Sequence, residues 1–88
     1  MKISKNGYIK EMQLESYEID EDVYLVLYIS QSPFGDLAII KKEYIDENGF
    51  SHKNGYKSTY FDDSTNDIDL FNNNIDRAKE WYYNILGI

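Results

Sequence analysis

His52 is the only histidine in the chain, and there is no cysteine. A Ser-His-Asp device needs a serine that the fold brings to the imidazole. Ser51 is adjacent in sequence, and in a strand it would point to the opposite face. One histidine without thiolates also excludes most zinc sites. His52 sits between Gly49 and Gly55 beside Lys53, which predicts a solvent-exposed loop histidine. The five glycines stand singly, with neither GxGxxG nor GxxxxGK spacing, so no phosphate-cradling loop is expected and nucleotide hydrolysis is disfavoured.

Carboxylates are the more abundant chemistry. Asp62, Asp63, Asp67 and Asp69 crowd one segment. Counted from Asp62 as a calcium loop, Ser64 and Asn66 keep the alternation of oxygen ligands. Position 6 is then Asp67 where glycine is needed, and position 12 is Asn73 where a bidentate glutamate is needed. Helix capping and solvation are the expected roles, and no cofactor or metal is called for. A second cluster, Glu11, Glu15, Glu18, Asp20, Glu21 and Asp22, puts six carboxylates into twelve residues. Such a run can solvate a strand edge and discourage pairing. It can also match a basic nucleic-acid-binding cleft by imitating a run of phosphates.

Nine tyrosines accompany these acids. Tyrosine has an apolar body and a polar tip, so it suits half-exposed sheet faces and interfaces. Tyr24 and Tyr28 share one parity of a predicted strand, and Tyr56 and Tyr60 share one parity of another. If both strands present the face away from a covering helix, an aromatic surface rimmed by carboxylates results.

The elements that would position these groups are legible from hydrophobic period. Residues 8–17 alternate, with Tyr8, Met12 and Leu14 on one parity and Glu11, Gln13 and Glu15 on the other, as a half-buried strand does. An acidic turn is expected at 18–22. The run 23–29, Val-Tyr-Leu-Val-Leu-Tyr-Ile, is apolar on both parities and predicts a central strand covered on both faces. Residues 31–36, with Pro33 and Gly35, read as a turn, and 37–45 as a third strand. Asn48-Gly49 predicts a hairpin turn. Asn54-Gly55 predicts either another tight turn or a bulge, with 56–61 as the last strand. Lys5-Asn6-Gly7-Tyr8 recurs as Lys53-Asn54-Gly55-Tyr56 without matching flanks, which is one turn solution used twice.

After an acidic polar loop at 62–66, Ile68, Phe71, Ile75, Ala78, Tyr82 and Ile85 recur at spacings of three and four. This stripe predicts a helix over 67–86, N-capped by Thr65 or Asn66 and stopped by Gly87. Eighty-eight residues fit a single α+β domain over 1–88: an antiparallel meander of about four strands in a β-rich part, 1–61, packed by one C-terminal amphipathic helix.

Sixteen acidic against nine basic residues give a net charge of −7, which disfavours direct nucleic-acid binding and favours a basic partner. The longest apolar run is too short to span a bilayer as a helix, and no signal-peptide pattern is present, so a cytoplasmic, non-membrane protein is expected. Size, charge and aromatic content are similar to those of small anti-defence proteins, some anti-CRISPR proteins among them. The likeness is one of composition and size, with no shared motif. The expectation is a non-enzymatic inhibitor of phage or mobile-element origin. It would block a basic nucleic-acid-handling protein through Glu11, Glu15, Glu18, Asp20, Glu21, Asp22, Tyr24, Tyr28, Tyr56 and Tyr60. The alternative is an oligomeric module that sequesters a small ligand or nucleotide, with Lys41, Lys42 and Lys57 converging on phosphate. Homodimerisation through the open sheet face is compatible with either.

Overall fold

The computed structural model describes residues 11–32, 35–61 and 68–88. The predicted caps at Thr65 and Asn66, the Asp62–Asp67 cluster, Tyr8, Pro33 and the first Lys-Asn-Gly-Tyr copy lie outside these residues. Four strands, β1 (Met12–Asp20), β2 (Val23–Ser32), β3 (Gly35–Ile45) and β4 (Ser51–Phe61), precede one helix, α1 (Ile68–Leu86). The strands form one antiparallel sheet in the order β1-β2-β3-β4. The helix packs against β1, β2 and β3. The fold is therefore α+β, a meander closed by one C-terminal helix.

The core lies between helix and sheet. Leu25, Leu27 and Ile29 of β2, Ala38 and Ile40 of β3, Phe61 of β4, and Phe71, Ala78 and Tyr82 of α1 are buried together. Tyr82 donates a hydrogen bond to the Leu25 carbonyl at 2.6 Å, which satisfies its polar tip inside the core. Burial pushes that phenol up to about 12. The other parity of β2 is buried as well at Val26 and Tyr28, as the two-sided apolar run predicts. The helix ends as expected at Gly87, where the Gly87 and Ile88 amides both donate to the Tyr83 carbonyl.

Several strand limits differ from the sequence expectation, each for a local reason. The acidic segment 18–22 is mostly strand: β1 continues to Asp20, which pairs with Val23, so only Glu21 and Asp22 make the turn. Asp22 takes the left-handed conformation, φ 57°, which aspartate tolerates. A register shift between Gln13 and Glu15 breaks the predicted alternation. Met12 and Leu14 still pack on the core, but Glu15 comes to the helix side with them. Most of the predicted 31–36 turn is paired backbone, with Gln31 opposite Asp36 and Ser32 opposite Gly35. Gly35 serves close approach here: a Cβ on it would lie 2.3 Å from the Phe61 carbonyl oxygen. The last strand begins five residues earlier than 56, because Asn54-Gly55 does not turn the chain. The register slips between Ile40 and Lys41 instead, and the segment carries a bulge.

Candidate functional site

Val23 pairs with Tyr44, so the β1–β2 and β3–β4 turns sit side by side at one end of the sheet. The second turn is stapled by one carboxylate. Asp46 Oδ1 accepts the Asn48 and Phe50 amides, each at 2.9 Å. The Gly49 amide donates to the Asp46 carbonyl, and Gly49 supplies the left-handed residue, φ 86°, that closes such a loop. Asp46 Oδ2 lies 2.7 Å from His52 Nε2, and the His52 ring stacks on Tyr44 with centroids 4.8 Å apart. His52 is thus a half-buried β4 residue held by Asp46, contrary to the exposed loop histidine that its flanking glycines suggested. Strand pairing of Tyr44 with His52 puts them on one face.

The bond to His52, then those from the Phe50 and Asn48 amides, hold the Asp46 carboxyl below its ordinary value. A depressed carboxylate pKa contributes stability that is present above the unfolded value and lost as pH falls through the folded one. Asp46→Asn is therefore expected to lower Tm above about pH 4, with the gap to wild type closing as pH drops further. Thermal melts across that range check it, and a gap that does not change with pH would contradict it.

The face away from the helix is set by the register. It carries Glu18 of β1, Tyr24 and Tyr28 of β2, Glu43 and Ile45 of β3, and Ser51 of β4, with Glu18 opposite Tyr24, Tyr24 opposite Glu43, and Ile45 opposite Ser51. At the hairpin end, Asp22, Tyr24, Glu43, Tyr44, Ile45 and Ser51 line an open recess of about 260 Å³. The adjacent charge of Glu18, and its hydrogen bond to the phenol, raise Tyr24. Tyr28 donates to Glu43, and the Lys41 ammonium lies 4.7 Å from its ring centre. Burial, then the Glu43 bond, pushes Tyr28 up to about 12. Ile45 and Phe50 are 57 % and 67 % exposed, large apolar surface at the same end.

The structure divides the residues singled out from sequence. Glu18, Asp20, Glu21, Asp22 and Tyr24 come together at the hairpin end. Glu15 does not join them: on the helix side it accepts from the Tyr83 hydroxyl at 2.9 Å and faces Lys79 at 3.8 Å. Glu11 pairs with Lys41 at 2.7 Å. Tyr28 is buried and engaged. Tyr60 pairs with Leu37, nine residues along β4 from Ser51 and so roughly 30 Å away. Tyr56 is the extra residue of the bulge, between Gly55 opposite Lys41 and Lys57 opposite Ile40, and lines a smaller depression with Ile39 and Ser58. Sequence reasoning missed Glu43, because only the strand register places it opposite Tyr24.

Lys41, Lys42 and Lys57 do not converge. Lys41 is held on the open face by Glu11. Lys42 lies over the Tyr44 ring on the other side, and Lys57, opposite Ile40, is beyond the bulge. Among the described residues no group of three His, Cys, Asp or Glu side chains could hold a metal ion, and no helix is long and apolar enough to cross a membrane. No protein-family model, curated protein or solved structure matches this chain.

Proposed function

We propose that this chain is a non-enzymatic binding protein, a stoichiometric inhibitor of phage or mobile-element origin that docks on a basic nucleic-acid-handling protein with its hairpin end. One observation carries the reading. Both turns project from the same end, and they gather Glu18, Asp20, Glu21, Asp22, Glu43, Asp46 and Glu47 around exposed Tyr24, Ile45 and Phe50. A carboxylate field steers a basic surface during encounter, while aromatic and aliphatic anchors supply the area that holds it. A nucleotide-sequestering role fits this end less well, because Asp22 and Glu43 line the recess and, among the described residues, no lysine or arginine does.

The test is affinity capture from bacterial lysate with the tagged chain, at low and high salt. The expected result is retention of a basic nucleic-acid enzyme at low salt and its loss at high salt, since exposed charge contacts are screened. The variant carrying Gln at Glu18 and Glu21 and Asn at Asp20 and Asp22, where asparagine keeps the left-handed conformation of Asp22, should keep its circular dichroism spectrum and retain none of that enzyme. Undiminished capture by this variant would sink the assignment to the acidic hairpin.

A further inference from the structure

We propose that the recess between the two hairpins is a guanidinium site, which takes an arginine side chain of the basic partner; this deepens the reading above and rests on it. Two acidic residues line the recess from different elements, Asp22 from the β1–β2 turn and Glu43 from β3. Tyr24 of β2, Ile45 of β3 and Ser51 of β4 line it with them. Tyr44 lies between Glu43 and Ile45 in sequence, but its ring stacks on His52. A carboxylate pair beside an aromatic face is what a planar guanidinium uses best: it can form forked hydrogen bonds to oxygen while its flat surface stacks on the ring. An ammonium makes the charge contact without the fork or the stacking.

A cation already stands at the rim. Lys53 Nζ lies 3.9 Å from Glu43 Oε1, at the outer limit of an ion pair, with the lysine side chain 58 % exposed. The other oxygen of Glu43 accepts from Tyr28, which fixes the carboxylate against the sheet. Among the described residues Glu43 is therefore oriented by the Tyr28 bond and served by one loose cation, and an entering guanidinium would replace the lysine. Two opposite consequences follow. Removing Glu43's charge weakens binding, and removing Lys53's charge strengthens it.

Nuclear magnetic resonance of the labelled chain tests this without any protein partner. The probes are N-acetyl-arginine amide, N-acetyl-lysine amide and N-acetyl-citrulline amide, the last matching arginine in shape without its charge. Arginine is expected to give saturable shifts at Asp22, Tyr24, Glu43, Ile45 and Ser51, lysine weaker ones, and citrulline none. Glu43→Gln should weaken arginine binding roughly tenfold, equivalent to losing one charge-assisted hydrogen bond. Lys53→Met should tighten it by a few-fold at low salt, with retained spectral dispersion showing both variants folded. Equal shifts from citrulline, or unaltered binding by Glu43→Gln, would overturn the site. The two readings fail separately: lysate capture without arginine binding removes the recess alone, and arginine binding without a captured basic enzyme removes the inhibitor role alone.

Discussion

Phe71→Ala is expected to remove a large share of the domain's stability. Phe71 is 1 % exposed at the centre of the helix–sheet interface, in one cluster with Leu27, Ile29 and Ile40. Truncating a buried phenylalanine costs about 3–5 kcal/mol, from lost transfer energy and the cavity left behind. A domain of this length has roughly 4–13 kcal/mol in total. Phe71 is the largest apolar side chain that the N-terminal half of the described helix buries, so its loss falls on the whole helix–sheet contact. The expected fall in Tm is roughly 15–30 °C at 4–8 °C per kcal/mol. Asn72→Ala, one position along and exposed, should stay within about 0.5 kcal/mol of wild type. Far-ultraviolet circular dichroism melts of the two variants check both. A shift below about 5 °C for Phe71→Ala would mean that the side chain is not packed as described.

The helix was the most legible element because its signal is internal: spacings of three and four identify the buried side without knowledge of the sheet. Strand ends were harder. Proline, glycine and aspartate at 31–36 read as a turn, yet Gly35 pairs with Ser32 as the first residue of β3, and it is glycine because neighbouring backbone leaves no room for a Cβ. Asn54-Gly55 is chemically a turn pair, yet both residues pair with β3, and the residue left over in the bulge is Tyr56. The parity of Tyr24 could be read from β2 alone. Its neighbours could not, since Glu43 becomes opposite Tyr24 through the β2–β3 register, which the connection between those strands decides. A one-residue bulge likewise moved Glu15 to the helix side. Local pattern identifies which residues alternate, and long-range pairing decides which of them meet.

The polar pair beneath the helix was missed although its spacing was visible. Asn74 follows Phe71 by three and precedes Ala78 by four, so it occupies a buried position of the helix, and it is 1 % exposed. Its amide Nδ2 donates to Asp36 Oδ2 at 2.8 Å, and its Oδ1 accepts from Arg77 Nη1 at 2.9 Å. The Arg77 guanidinium in turn lies 4.4 Å from the Phe61 ring centre. Asp36 is fully buried, and its Oδ1 accepts no hydrogen bond from any described residue. Asn74→Ala would thus remove the Nδ2 donor from a buried acid whose other oxygen accepts from no described residue. A hydrogen bond to a charged group is worth about 1.5–3 kcal/mol, and the group left behind adds its own desolvation cost, so a loss of roughly 3 kcal/mol is expected from urea unfolding. Asp36→Leu with Asn74→Leu removes both polar partners together. Replacing a buried polar pair by packed apolar groups is often neutral or stabilising, so the double variant should recover most of the loss. The cycle through Asp36→Leu, Asn74→Leu and the double variant isolates the coupling. Strictly additive losses would show that helix and sheet are not joined through this pair. A large coupling would mean that the pair fixes the helix register over β3, since a helix displaced by one residue would leave the Asp36 carboxylate facing apolar side chains.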